Sequence, residues 1–446
     1  MEQVVENAPL PPSLAALLAR EDFADDVFEG GRCAHSVGAA IDCPALALDR
    51  LLAALDGEST VSPSGGYGFP ALAASYRQGL DFQLGRVNAK GGWDRFDLWK
   101  YQYENLPSSE TARRALEGGY SLTIRHAEWR IPCVFAAAAA LQRATGAPVQ
   151  ANIYVTPPDE RCVRPHADRH DVYAWQVSGA KTWLVREAHG PPPPVPPREN
   201  KRNGGCDLPG AAPYPVERAV ELRAGDALYV PRGVPHQCRA SGAAPSIHVS
   251  FGSDVHIPLT WEGALHCALR RRRASARTHV ELHFVAMSTC TRLRRSCPPA
   301  VLRGDGDEAL AAAADELGRL AAAAADALLW RAGLPGRAAD WLAAPTNGVL
   351  DFVRLGVPWS EDVGCRTTRG LAFLEDDRIG HPAHFAFPTA VGPVLVALRE
   401  LTAQATRDVR VTALRDVSMM ARAAREEVRR RGAALEGVGP PPGEGA

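Results

Sequence analysis

Residues 165–185 read PHADRHDVYAWQVSGAKTWLV. Proline at 165 biases the chain before it toward an extended conformation. His166 and Asp168 lie two apart, and in an extended segment residues at that spacing project from the same face. The run DVYAWQV is β-branched and aromatic. A tight SGA turn follows it, and KTWLV has the same texture, so two consecutive strands are predicted. Alternation in the second places Lys181, Trp183 and Val185 on one face. A buried ammonium among apolar positions needs a partner. The plainer alternative is an edge-strand lysine facing water.

The same texture extends over residues 149–252. VQANIYVTPP, AVELRA, DALYVP, HQCRA and SIHVSFG are short and separated by Gly, Pro and Asp turns, the pattern of a barrel or sandwich. Asn152 and Tyr154 share a face of the first of these strands. In VELRAGDALYVPRGVPHQC (220–238) a Gly-Asp turn, an apolar strand and a second turn deliver His236. The segment GPPPPVPPRENKRNGG (190–205) is read as a long excursion between two barrel strands, because prolines cannot join a ladder.

Two histidines and a carboxylate converging from two strands form the facial arrangement of non-heme Fe(II) oxygenases, which leaves coordination positions open. His-x-Asp alone is a weak motif, equally compatible with an Asx turn at Asp168. The strand context of His166, Asp168 and His236 favours the metal. With iron there, Lys181 is read as the partner of the far carboxylate of a dicarboxylic cosubstrate. Asn152 and Tyr154 would reach the same ligand or act as ordinary interior polar residues. His166 and His170 have the four-residue spacing of a helical zinc site, but Pro165 and the following strand oppose a helix. HVELH (279–283) reads as an amphipathic segment and HPAH (381–384) as a solvated turn.

The chain has 446 residues, a formal charge of −1 and 46% hydrophobic residues, which fits several globular units with no general pull toward nucleic acid or membrane. It has no apolar run of about 18 residues, so no membrane span is expected. The acidic start of the sequence argues against a secretory leader. Ten cysteines without a Cys-x-x-Cys pair predict reduced thiols. RRRRASAR (270–277) is read as a solvated helix face rather than a nuclear signal or nucleic-acid patch. After residue 255 the texture turns helical, with Leu310, Leu317, Leu320 and Leu328 near helical spacing. Near the C-terminus HFAFP and RDVRVTAL are read as extended and the segments following each as helices.

The ordered motifs GGYSLTIRHAEWRIP, GAPVQANIYVTPP, PHADRHDVYAWQVSGAKTWLV, AGDALYVPRGVPHQC and SIHVSFG resemble the JmjC/cupin-type ribosomal oxygenases. The resemblance is dense over 118–252 and implies an α+β chain built on a double-stranded β-helix. It implies Fe(II) held by His166, Asp168 and His236, with 2-oxoglutarate and O2 as cosubstrates. Lys181 falls on the family's basic anchor, and Asn152 and Tyr154 on its polar strand pair. The implied organisation is an N-terminal extension (1–65), a catalytic barrel (66–254), a helical dimerisation region (255–350) and a winged-helix-like domain (351–440). The implied activity is hydroxylation of a protein side chain, a histidine or arginine of a ribosomal protein. The alternatives are histone N-methyl-lysine demethylation and, from another class, a non-catalytic cupin acting as an interaction module. A homodimer is expected, with nucleic-acid binding not primary and a nuclear or nucleolar location in a eukaryote, otherwise cytoplasmic. Ala167 stands where the family has an aromatic residue, and Trp175 interrupts its usual Leu-Gln strand end.

Overall fold

Alternation along two sheets sets the architecture. A computed structural model describes residues 9–29, 31–56, 82–96, 107–168, 170–187, 216–253, 259–274, 278–279, 282, 290–332 and 391–433. The strands are β1 (Ala34–Ser36), β2 (Phe82–Val87), β3 (Trp93–Arg95), β4 (Ser121–Ile124), β5 (Val149–Thr156), β6 (Asp171–Ser178), β7 (Ala180–Glu187), β8 (Val216–Arg223), β9 (Ala227–Val230), β10 (His236–Ser241) and β11 (Ser246–Ser253). One sheet runs β1-β9-β6-β11-β5-β4-β2-β3 and the other β10-β7-β8, with antiparallel pairing throughout. Val172, Ala174, Leu228 and Val230 of the larger sheet pack on Trp183, Val185, Val220 and Leu222 of the smaller. The result is a barrel of the double-stranded β-helix kind.

Each strand read from residues 149–252 forms. β2, β3 and β4 extend the larger sheet beyond that region. The chain passes from β6 in the larger sheet to β7 in the smaller at Gly179, whose φ is +63°. A Cβ there would sit 2.6 Å from the carbonyl oxygen of Pro245, so only glycine fits. The proline-rich excursion lies outside the described residues. Its two ends, Glu187 and Val216, are paired across β7 and β8.

The outer face of the larger sheet is covered by α1 (Pro12–Leu18), α2 (Leu48–Ala54), α3 (Ser108–Glu117) and α4 (Pro132–Thr145). Val149, Ala151, Ile153 and Val155 of β5 pack there with Leu14, Leu51 and Leu141. The period of two therefore turns Asn152, Tyr154 and Thr156 into the barrel. Gly146 ends α4 with φ +75°, the left-handed conformation expected of a glycine past a helix end. The described part of the N-terminal segment packs on the barrel. β1 pairs with β9, and Leu14 and Leu17 are buried in the barrel's outer core.

The helices α5 (Trp261–Arg271), α6 (Pro299–Arg303), α7 (Asp307–Ala332), α8 (Val391–Thr402) and α9 (Arg407–Ala433) share a second core. Leu310, Leu317 and Leu320 are buried within it against this chain's own helices. Arg270–Arg273 are exposed at the end of α5, as a solvated face requires, and there Arg271 pairs with Asp416 at 2.7 Å and Arg272 with Glu400 at 2.7 Å.

RDVRVTAL is helical, contrary to the extended reading. Arg410, Ala413, Leu414, Val417, Ala421 and Ala424 are buried at helical spacing, and this longer period outweighs the local Val-Arg-Val alternation. The buried Arg410 guanidinium donates to the carbonyls of Ala314 (2.7 Å), Leu401 (2.6 Å) and Ala403 (2.9 Å), satisfying the C-terminal end of α8. HFAFP lies outside the described residues, as does most of the region read as winged-helix-like.

Candidate active site

His166 precedes β6, and His236 opens β10. The two form an isolated antiparallel bridge in which each backbone N–H donates to the other's carbonyl, at 3.0 and 2.7 Å. A residue pair exchanging both bonds carries its side chains on the same face. The rings accordingly lie with centroids 4.4 Å apart. Asp168 follows two residues after His166, and its Oδ2 is 3.7 Å from Nε2 of His166 and 3.6 Å from Nε2 of His236. All three side chains are buried, and their ligand atoms lie within 4.8 Å of one another. Among the described residues this is the only such group of three.

Second contacts set the ring orientation. Nδ1 of His166 is 2.7 Å from the carbonyl of Arg164, and Nδ1 of His236 is 3.0 Å from that of Val234. A carbonyl can only accept, so both Nδ1 atoms carry the proton and both Nε2 lone pairs face Asp168. The Gly233 N–H donates to the Asp168 carbonyl at 2.9 Å and joins the two ligand-bearing turns. Gly233 has φ +81°, which a side chain would strain. Two imidazoles and a carboxylate converging on one point fit an octahedral divalent metal that keeps open positions.

Lys181 is fully buried, as the sharper of its two readings requires. Its Nζ donates to Thr156 Oγ1 at 2.9 Å and to Nδ1 of His248 at 3.0 Å. No carboxylate among the described residues pairs with it. Burial lowers its pKa. His248 is held neutral: burial and then the Lys181 charge push its pKa well below the usual histidine value. Nδ1 of His248 therefore accepts from Lys181, and Nε2 carries the proton. Tyr154 stacks on His248, centroids 4.9 Å apart and planes 8° apart. Trp183, two residues beyond Lys181, lies with its ring 5.6 Å from both the His236 and the His248 rings. It lines the wall between the histidine-aspartate group and the lysine.

The sequence-predicted residues thus gather in one barrel. Asn152 lies on the same face as Tyr154, with its Oδ1 accepting from the His126 N–H at 3.2 Å. His126 itself is in the left-handed conformation, φ +50°, and stacks on Trp129 at 4.1 Å. Thr156 and His248 are additional; strand alternation in VTPP and SIHVSFG points both inward, but only the strand order brings them to Lys181. His170 is not part of the group. Its ring lies over Gly252, where an added Cβ would meet it at 2.6 Å. His279 pairs with His266, Nδ1 to Nδ1 at 2.9 Å, in the helical region. His283 and the HPAH segment lie outside the described residues.

Residues 127–260 match the JmjC domain family. Over 175 residues the chain is 26% identical to ribosomal oxygenase 1 of Rattus norvegicus, covering 37% of this chain and 28% of that protein. It is 34% identical over 126 residues to the bifunctional lysine-specific demethylase and histidyl-hydroxylase NO66 of Dictyostelium discoideum, covering 28% of this chain and 23% of that one. The chain thus spans about a quarter of the length of these relatives. Among solved structures it is similar to YcfD, a ribosomal oxygenase from Escherichia coli crystallised with cobalt and 2-oxoglutarate, at 20% identity and a TM-score of 0.32, covering 56% of each chain.

Proposed function

We propose that this chain, whose JmjC domain is of the ribosomal-oxygenase kind, is an Fe(II)- and 2-oxoglutarate-dependent oxygenase that hydroxylates a protein side chain. One observation carries this reading: a buried His-His-Asp donor set shares a barrel with a buried ammonium that has no carboxylate partner among the described residues. The first suits a divalent metal. The second suits a small dianion that reaches from the metal to the lysine.

His166, Asp168 and His236 would hold the iron, which with 2-oxoglutarate and O2 supplies the oxidising power for inserting an oxygen atom into a C–H bond. The remaining work falls to this chain's residues. Arg164 and Val234 carbonyls keep the proton on Nδ1 of each histidine, so Nε2 stays a ligand. Lys181 binds the distal carboxylate of 2-oxoglutarate as a charge-assisted pair. Thr156 and neutral His248 hold Nζ in place, and Tyr154 holds His248 by stacking. The arriving carboxylate favours the lysine's charged form, so a proton is retained at Nζ as the cosubstrate binds. Trp183 excludes water from the wall between the two ends, which strengthens the ion pair. Asn152, fixed by His126, offers its amide at the inner face.

For the substrate, we infer a histidine or arginine of a ribosomal protein: the relatives' names carry a ribosomal oxygenase and a histidyl-hydroxylase, and arginine rests on the family resemblance. The NO66 name also carries a demethylase activity, and the same donor set serves that reaction. The product distinguishes them: hydroxylation adds one oxygen atom to a side chain, and demethylation removes a methyl group. A homodimer formed through residues 255–350, a winged-helix-like region over 351–440 and a nuclear location rest on the family resemblance. The test is mass spectrometry of ribosomal proteins and methylated histone peptides after incubation with the full chain, Fe(II) and 2-oxoglutarate. An added oxygen on a ribosomal histidine or arginine supports the proposal. Methyl loss alone supports the demethylase, and an unchanged mass on both with no 2-oxoglutarate consumed supports the non-catalytic reading.

A further inference from the structure

Two thiols meet where the N-terminal segment passes the start of α4. Cys43 precedes the short 3-10 turn Pro44–Leu46, and Cys133 is the second residue of α4. Their Sγ atoms lie 3.5 Å apart although 90 positions separate them in the chain. Of the eight described cysteines, Cys33, Cys162, Cys238, Cys267, Cys290 and Cys297 are buried, and only Cys43 and Cys133 are partly exposed. Among the described cysteines, the two that an aqueous oxidant can reach are therefore the two that already touch each other.

We propose that Cys43 and Cys133 form a peroxide-responsive dithiol that closes to a disulfide and fastens the N-terminal segment to α4. Closure needs the sulfurs to approach by about 1.5 Å, to the bonded separation of about 2.05 Å. The segment carrying Cys43 can supply that movement. Residues 37–43 have no regular secondary structure, and Val37 and Ile41 are exposed. The segment is held at its start by the Gly38 N–H donating to Asp226 Oδ1 at 3.1 Å.

The two sulfurs have different roles. The hydrogen-bonded contact with Cys133, together with the N–H groups of Leu46 and Ala45, outweighs burial and the nearby Asp42 charge and lowers the Cys43 pKa to about 7. Cys133, through the same contact and its deeper burial, is pushed up. Cys43 is thus the attacking thiolate and Cys133 the resolving thiol. Cys43 sulfur attacks one oxygen of hydrogen peroxide; the O–O bond breaks, an S–O bond forms, and hydroxide leaves and takes a proton to become water. Cys133 sulfur then attacks Cys43 sulfur; the S–S bond forms, the S–O bond breaks, and the departing oxygen takes a proton to leave as a second water. Two thiols lose two electrons and peroxide gains them.

The test uses the reduced full chain. It is exposed to hydrogen peroxide, blocked with N-ethylmaleimide, digested without reduction and mapped by mass spectrometry. The expected result is a Cys43–Cys133 linked peptide that dithiothreitol separates, a loss of two free thiols, and no such link in Cys43→Ser. In Cys133→Ser the sulfenic acid has no resolving partner, so Cys43 is expected to take up dimedone. Recovery of Cys43 and Cys133 as maleimide adducts, as sulfinic or sulfonic acids, or linked to other cysteines would overturn the proposal. Absence of dimedone on Cys43 in Cys133→Ser would overturn the assignment of the attacking sulfur.

Discussion

His166 and His236 hold each other in register by two backbone hydrogen bonds, so the metal-facing orientation of both rings is set by main chain before any metal arrives. Asp168 is tied to the same bridge through the Gly233 N–H. The donor set is thereby pre-organised, and removing one donor should damage binding without unfolding the barrel. His166→Ala, Asp168→Ala and His236→Ala are each expected to weaken Fe(II) or Co(II) binding by more than about 100-fold, beyond the 10- to 100-fold typical of outer contacts. Titration calorimetry beside circular dichroism checks this; an intact Co(II) isotherm in Asp168→Ala would remove Asp168 from the set.

Gly233 permits a direct comparison. It has φ +81°, and the exposed-turn glycine Gly242 has φ +90° with open space where a Cβ would sit. Alanine at either position costs about 1–2 kcal/mol of backbone strain. Only Gly233→Ala is expected to lower metal affinity as well, because its turn carries the bond to Asp168. Equal metal affinity in the two variants would show that this bond does not position the carboxylate.

Lys181→Ala should weaken 2-oxoglutarate binding by about ten- to a hundred-fold, the equivalent of about 1.5–3 kcal/mol for a charge-assisted bond, and leave metal binding unchanged. The pH dependence follows from the direction of its shift. Burial lowers the Lys181 pKa, so its charge is lost on raising pH through a range below 10.5. Affinity for 2-oxoglutarate should therefore fall as pH rises, measured by calorimetry at fixed metal. An affinity flat to pH 10 would contradict the assignment of Lys181 as the anchor.

His248 adds a stability signature. It is neutral in the folded chain because its pKa is lowered well below 6.5 by burial and by Lys181. Below that value the unfolded chain binds a proton that the folded one does not. Its contribution to stability is therefore complete above the unfolded pKa and declines as pH falls, by about 1.4 kcal/mol per pH unit until the folded pKa is reached. Denaturant titrations at pH 7.5 and 5.5 should show a steeper loss in the wild type than in His248→Gln. Equal slopes would mean that His248 is not the proton-linked group.

Much of this was legible locally. From Val149 to Ser253 the strands alternate with a period of two and are separated by Gly, Pro and Asp turns, so strand positions and the inward faces of Asn152, Tyr154 and Lys181 follow from neighbours in sequence. His166, Asp168 and His236 were readable because Pro165 and the Gly-Asp turn frame them. Thr156 and His248 were not singled out, since their contact with Lys181 depends on which strands become neighbours, a long-range property. SLTI becomes β4 only by pairing with β2 and β5, again a long-range property. Arg407–Ala433 was misread in its first turns because Val409 and Val411 mimic strand alternation over a window too short to display the helical period.

The central claim is that this barrel couples a metal at His166, Asp168 and His236 to 2-oxoglutarate held by Lys181. Succinate formed from 2-oxoglutarate by the purified full chain, with and without added Fe(II), tests it most directly, with Asp168→Ala and Lys181→Ala measured alongside. The account predicts Fe(II)-dependent succinate in the wild type, none above background in Asp168→Ala, and in Lys181→Ala turnover restored only at much higher 2-oxoglutarate. Wild-type protein that binds Fe(II) and 2-oxoglutarate yet forms no succinate with its protein substrate present, or Asp168→Ala that forms as much as wild type, would contradict it.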